Sequence, residues 1–174
     1  MTDDHATDGP EPERRRRLHH WLRERFGSPA AVYGLIVYSV AIAVVSDHEE
    51  TLPGVLVKSV LTLVIFFVAH VFAHTLADHG RLSLGAAIGR AVRHSAGMLY
   101  SSVPSTAVLL LGTLENGDAE TTVSVALIVS MVVLAVLGYS AYAERGASRA
   151  LRWVGAIGTG LLGFLIVALD YAVH

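Results

Sequence analysis

Residues 54–79 read GVLVKSVLTLVIFFVAHVFAHTLADH, the longest apolar run in the chain. A helix needs about 20 apolar residues to cross the roughly 30 Å hydrocarbon layer of a bilayer. In lipid every backbone polar group must be satisfied internally, so such a run is confined to a helix. Pro53-Gly54 punctuates its start and His79-Gly80 its end, which predicts a span over 54–78. Lys58, Ser59, Thr62, His70, His74 and Asp78 lie inside or at the edge of this span. At about 100° per residue, Ser59, His70, His74 and Ala77 share one face with Asp78 at its edge, and the opposite side is Leu, Val, Ile and Phe. Ionisable groups at membrane depth face protein or water, so the polar side is expected to face a bundle. With the span centred near Phe66, His70 lies about 6 Å from the midplane and His74 about 12 Å. Lys58 lies about 12 Å the other way and can snorkel outward.

Three readings fit the histidine pair. Imidazoles at i and i+4 with a carboxylate at i+8 can form a proton relay, because histidine titrates near neutrality. The same spacing lets both rings bind one metal ion. In the third reading one neutral ring bonds a neighbouring helix and the other sits among headgroups.

The rest of the chain repeats the membrane pattern. It has 174 residues, 53% of them hydrophobic, and no cysteine, which excludes disulfides, thiol catalysis and cysteine-ligated metals. Residues 1–13 are acidic and without periodicity, a disordered tail. Residues 14–27 begin with four arginines, and Leu18, Trp21, Leu22 and Phe26 fall on one helical face. This predicts a basic amphipathic helix lying on anionic lipid headgroups, with nucleic acid not expected as a partner. Residues 28–174 form the membrane domain, with spans expected at about 29–46, 54–78, 96–114, 121–143 and 153–173. The expected fold is therefore an all-α bundle of five transmembrane helices preceded by the amphipathic helix.

Polar features mark individual spans. Tyr33 opens the first as an interfacial anchor, while Tyr38 falls mid-span and needs a partner, for which His70 is the candidate. Residues 81–95 suit either a short interfacial helix or an extension of the third span. Pro104 interrupts the third span among Ser101, Ser102, Ser105 and Thr106, so a helix break is expected there. Ala156, Gly160 and Gly163 put small residues on one side of the fifth span, favouring close packing. Asp170 shares that face and is a candidate structural partner for Lys58.

All twelve arginines fall in the N-terminal segment and in the connections after the second and fourth spans. The connections after the first and third spans carry six carboxylates and no Lys or Arg. The positive-inside rule then puts the N-terminus in the cytoplasm and the C-terminus outside. The arginine bias suits a GC-rich bacterial source, hence a bacterial plasma membrane.

Ala69-His70-Val71-Phe72-Ala73-His74, the proline-containing third span and the ending IVAL-x-x-x-VH over 166–174 resemble small integral-membrane proteins of actinobacteria. The resemblance covers most of the membrane part and implies no particular activity. The expected function is a small proton- or cation-linked channel or transporter, possible as a homo-oligomer, with His70, His74, Asp78 and Tyr38 as its polar site. The alternative is a non-catalytic membrane scaffold. Two histidines at i, i+4 match one histidine box of membrane hydroxylases, but the other boxes and any HExxH are absent, so neither enzyme activity nor a cofactor or resident metal is expected.

Overall fold

A computed structural model describes residues 29–80, 82–144 and 146–173. The amphipathic segment with Leu18, Trp21, Leu22 and Phe26 lies outside the described residues. The described chain is all-helical: α1 (Pro29–Ser46), α2 (Leu52–Ala77), α3 (Leu84–Leu114), α4 (Ala119–Glu144) and α5 (Arg149–Val173). Helices α1 to α4 are long and apolar enough to cross a membrane, so this is a multi-pass membrane protein. α5 is a helix of 25 residues.

Short connections with defined chemistry separate the helices. Thr51 is extended at φ −112°, and Pro53 sits at the start of α2, where its missing N–H is not needed. Gly80, at φ +86°, turns the chain between α2 and α3. Asn116 adopts φ 51° after α3, and the Gly117 N–H bonds the Gly112 carbonyl. The Asp118 carboxylate then accepts the Thr121 N–H at 2.8 Å, capping α4. That bond holds the Asp118 carboxyl below the usual carboxylate range. Gly146, at φ +66°, closes α4.

α1 is the hub of the bundle. It packs on α2, α3, α4 and α5, which follow one another around it in chain order. Half of its 18-residue window is buried, against 17% for α2, so the long apolar helix is peripheral and α1 is central. Small residues explain this: Ala30, Ala31, Gly34, Ser39, Ala41 and Ala43 are buried and let neighbouring backbones close in. A Cβ on Gly34 would lie 2.5 Å from Met98 Cα. One core joins Tyr38, Ile42, Leu63, Leu109 and Leu127, and a second joins Ala31, Leu35, Leu134 and Leu137.

α3 decides between the two readings of its first part: the segment from 84 to 95 is not a separate interfacial helix but the extension of the third span, within one helix of 31 residues. That is about 46 Å at 1.5 Å per residue, well beyond one bilayer core. Pro104 lies inside this continuous helix. Proline removes one N–H, and the surrounding turns are held by buried neighbours and by hydroxyls. Ser101 bonds the Met98 carbonyl, Ser102 the Leu99 carbonyl and Thr106 the Ser102 carbonyl.

Candidate functional site

A layer of hydroxyls crosses the middle of the bundle. Tyr38, fully buried near the midpoint of α1, meets Thr106 on α3 at 2.8 Å. Thr106 Oγ1 also lies 2.9 Å from the Ser102 carbonyl. With one proton on Thr106, both contacts are satisfied when Thr106 donates to the carbonyl and Tyr38 donates to Thr106. Next to them, buried Ser105 and Ser130 share a hydrogen bond of 2.7 Å between α3 and α4. Ser101 donates to the Ala31 carbonyl at 2.9 Å. Tyr38 therefore belongs to this layer and does not reach His70 as the sequence suggested; Thr106 is nearer to its hydroxyl.

The histidines form a separate cluster towards the α2–α3 turn. His70 and His74 follow one another up α2, with their Nε2 atoms 3.2 Å apart. The rings meet edge to face at a centroid distance of 4.7 Å. A third imidazole, His94 of α3, stands edge-on to His74 at 4.6 Å. On the other side Tyr33 of α1 stacks on His70 at 5.9 Å with planes 24° apart. His70 and His74 are half-buried and His94 is exposed. One turn further out, Asp78 Oδ2 faces Arg90 Nη1 at 3.9 Å, an ion pair too long for a hydrogen bond.

Helix register gives the depth of this cluster. On the antiparallel α2–α3 hairpin, His74 pairs with His94 and Asp78 with Arg90, each step advancing four residues. The same register brings residue 62 level with Thr106, and so with Tyr38 at the midpoint of α1. His70 is then about 12 Å from mid-level and His74 about 18 Å. The sequence estimate centred α2 on Phe66. Measured from the hydroxyl layer, the histidines lie about one turn further along α2 than when measured from Phe66.

The ring geometry fixes what the pair can do. Two Nε2 atoms at 3.2 Å require one to carry hydrogen and the other to present a bare lone pair. While both rings are neutral they are thus opposite tautomers, and their roles exchange when a proton enters at one Nδ1, the shared proton crosses between the Nε2 atoms and another proton leaves from the second Nδ1. Among the described residues, no group of three or more His, Asp or Glu is arranged to hold a metal ion.

At the opposite end of the bundle lies a cavity of about 390 Å³ lined by Asp47, Glu49, Glu50 and Glu120 together with Ser46 and Ser124. Lys58 reaches Glu49 beside it, and Thr51 donates to the same carboxylate at 3.1 Å. The Lys58 bond first, and the Thr51 bond second, hold the Glu49 carboxyl below the usual carboxylate range. Lys58 is therefore engaged by the loop preceding its own helix, which needs no approach to α5 on the far flank of α1. The side chain of Asp170, its expected partner, lies outside the described residues.

Sequence reasoning missed His94 and Tyr33 as cluster members. The extension reading of 81–95, taken alone, would have exposed the first, because the short connection after α2 brings the end of α2 and the start of α3 side by side. Tyr33 was read as an anchor, and its level with His70 depends on how α1 packs. No protein-family model, curated protein or solved structure matches this chain.

Proposed function

We propose that this protein is a small proton- or cation-linked channel or transporter in which the His70–His74 pair exchanges protons at one mouth. The observation that carries the reading is the Nε2–Nε2 hydrogen bond of 3.2 Å between two half-buried imidazoles. Such a pair passes a proton by switching tautomers, and histidine changes charge within the physiological range. Two further polar stations support it: the Tyr38–Thr106 and Ser105–Ser130 bonds at mid-level, and the acidic cavity at the other end. Leu63, Leu109 and Leu127 pack with Tyr38 in one apolar core, so transport requires a state in which this core parts. Asp78 and Arg90 stand at the histidine mouth.

The proposal includes five spans in a bacterial plasma membrane, with the N-terminus cytoplasmic and the basic segment 14–27 on the inner leaflet. Two observations favour α5 as a full span. Thr159 donates to the Leu134 carbonyl of α4 at 3.0 Å, and Gly138 and Gly155 bring the two helices into backbone contact. Arg90, Arg93, Arg149 and Arg152 then share the cytoplasmic side, in keeping with the positive-inside rule.

The test is proton flux into liposomes for wild type beside His70→Ala and His74→Ala. Flux in wild type that both variants lose, at equal folding, supports the reading. Undiminished flux in both variants removes the histidine pair from the path, and a wild type without flux leaves a non-catalytic scaffold as the better account.

A further inference from the structure

We infer that the His70–His74–His94 stack is a proton-operated latch, closed while one of the two facing Nε2 atoms of His70 and His74 stays bare and opened when both carry protons and α2 and α3 are forced apart at their connected end. The inference rests on the proton-exchange reading for its purpose, and its geometry stands apart from it.

The closed contact requires that one of the two facing Nε2 atoms stay bare. Once the pair carries one proton beyond neutrality, a second proton would set N–H against N–H at 3.2 Å and place two like charges side by side. His94 follows at 4.6 Å from His74, so charge on it meets the same stack from α3.

Among the described residues, the groups against the stack offer little to compensate a second proton. From α1, the group facing the stack is the neutral Tyr33. From α3 come His94, against His74, and the cation Arg90, beside Asp78. Asp78 is the only acid between Thr51 and Leu114 in the sequence, and it already faces Arg90. Excess positive charge therefore accumulates where two helices are joined by a short turn containing Gly80. His94 is exposed and has free space to leave the stack first. Its departure uncovers His74 and lets the mouth of the α2–α3 hairpin spread.

The protein has no cysteine, so two can be introduced cleanly for spin labels. Ala77→Cys on α2 and Ala86→Cys on α3 are both exposed positions at the hairpin end. The distance between the labels is measured by pulsed EPR on the full chain in lipid nanodiscs at pH 8 and pH 5. The expected result is a lengthening of about 2–5 Å at pH 5, the scale of helix shifts at packed interfaces. His74→Gln and His94→Gln in the labelled background are each expected to keep the shorter distance at both pH values. An unchanged wild-type distance, or a lengthening that persists in both variants, overturns the latch. His94→Gln replaces an exposed side chain and keeps the test available should His74→Gln fail to fold. Proton flux on the same preparations separates the two ideas. Flux without movement overturns the latch and leaves the transport reading, whereas movement without flux supports the latch and overturns transport.

Discussion

The α4–α5 interface makes a prediction with opposite signs at two glycines. A Cβ added at Gly138 would sit 2.0 Å from Thr159 Oγ1 and 2.4 Å from the Gly155 carbonyl oxygen. The second of these atoms is backbone, so α5 must move away as a unit by about 1 Å to restore ordinary contact. Overpacking of this kind costs about 1–3 kcal/mol. The Thr159–Leu134 bond is lost with the shift, and an interhelical hydrogen bond in a membrane contributes about 0.6 kcal/mol. Gly138→Ala is therefore expected to destabilise the bundle by about 2–4 kcal/mol. At Gly158 an added Cβ meets nothing within 4 Å. Alanine there restricts the unfolded chain without a clash and should stabilise by about 0.5–1 kcal/mol. Reversible unfolding in mixed micelles by added SDS, followed by circular dichroism, measures both. A Gly138→Ala variant within 0.5 kcal/mol of wild type, or one moving in the same direction as Gly158→Ala, would refute the packing argument.

Other consequences follow from named contacts. A double-mutant cycle of Tyr38→Phe and Thr106→Val should give a coupling of about 0.6 kcal/mol and no more than about 1.7; zero coupling in the same SDS assay would mean that the mid-level bond contributes nothing. Ser105→Ala should cost more than Thr113→Ala, because Ser105 bonds another helix while Thr113 bonds back to its own Leu109 carbonyl. Glu49 titrates below the usual carboxylate range because Lys58 bonds it, so its contribution to stability is present above the unfolded carboxylate range and fades as pH falls through the lowered value. Carboxyl-carbon NMR shifts should show the Glu49 midpoint rising towards an ordinary glutamate in Lys58→Met, and an unmoved midpoint would contradict the assigned cause.

Hydropathy and proline placement made the helices legible. The expected first span, 29–46, coincides with α1, and the expected ends of the second and fourth spans fall within a few residues of α2 and α4. The start of α3 was ambiguous because Arg90, Arg93 and His94 end the lipid-like composition while the helix itself continues. A hydropathy pattern reports where lipid begins, and a helix is free to run past that point. Pro104 falls within the continuous helix, with Ser102 and Thr106 bonding carbonyls of the turns on either side of it. The central place of α1 was hidden because it rests on small residues, and a run of Ala and Gly is less conspicuous than the Leu, Val and Phe of α2. The histidine pair itself was legible from its spacing. Its partners were not, since His94 and Tyr33 reach it through helix register, and register is set by which faces pack.

Wild-type proton flux into liposomes, driven first by an inside-negative and then by an inside-positive potential, tests the central claim most directly. The account predicts proton entry that follows the applied potential and varies with pH across the range in which imidazole changes charge. A flux equal to that of protein-free liposomes under both polarities, with the protein folded and inserted, would contradict it.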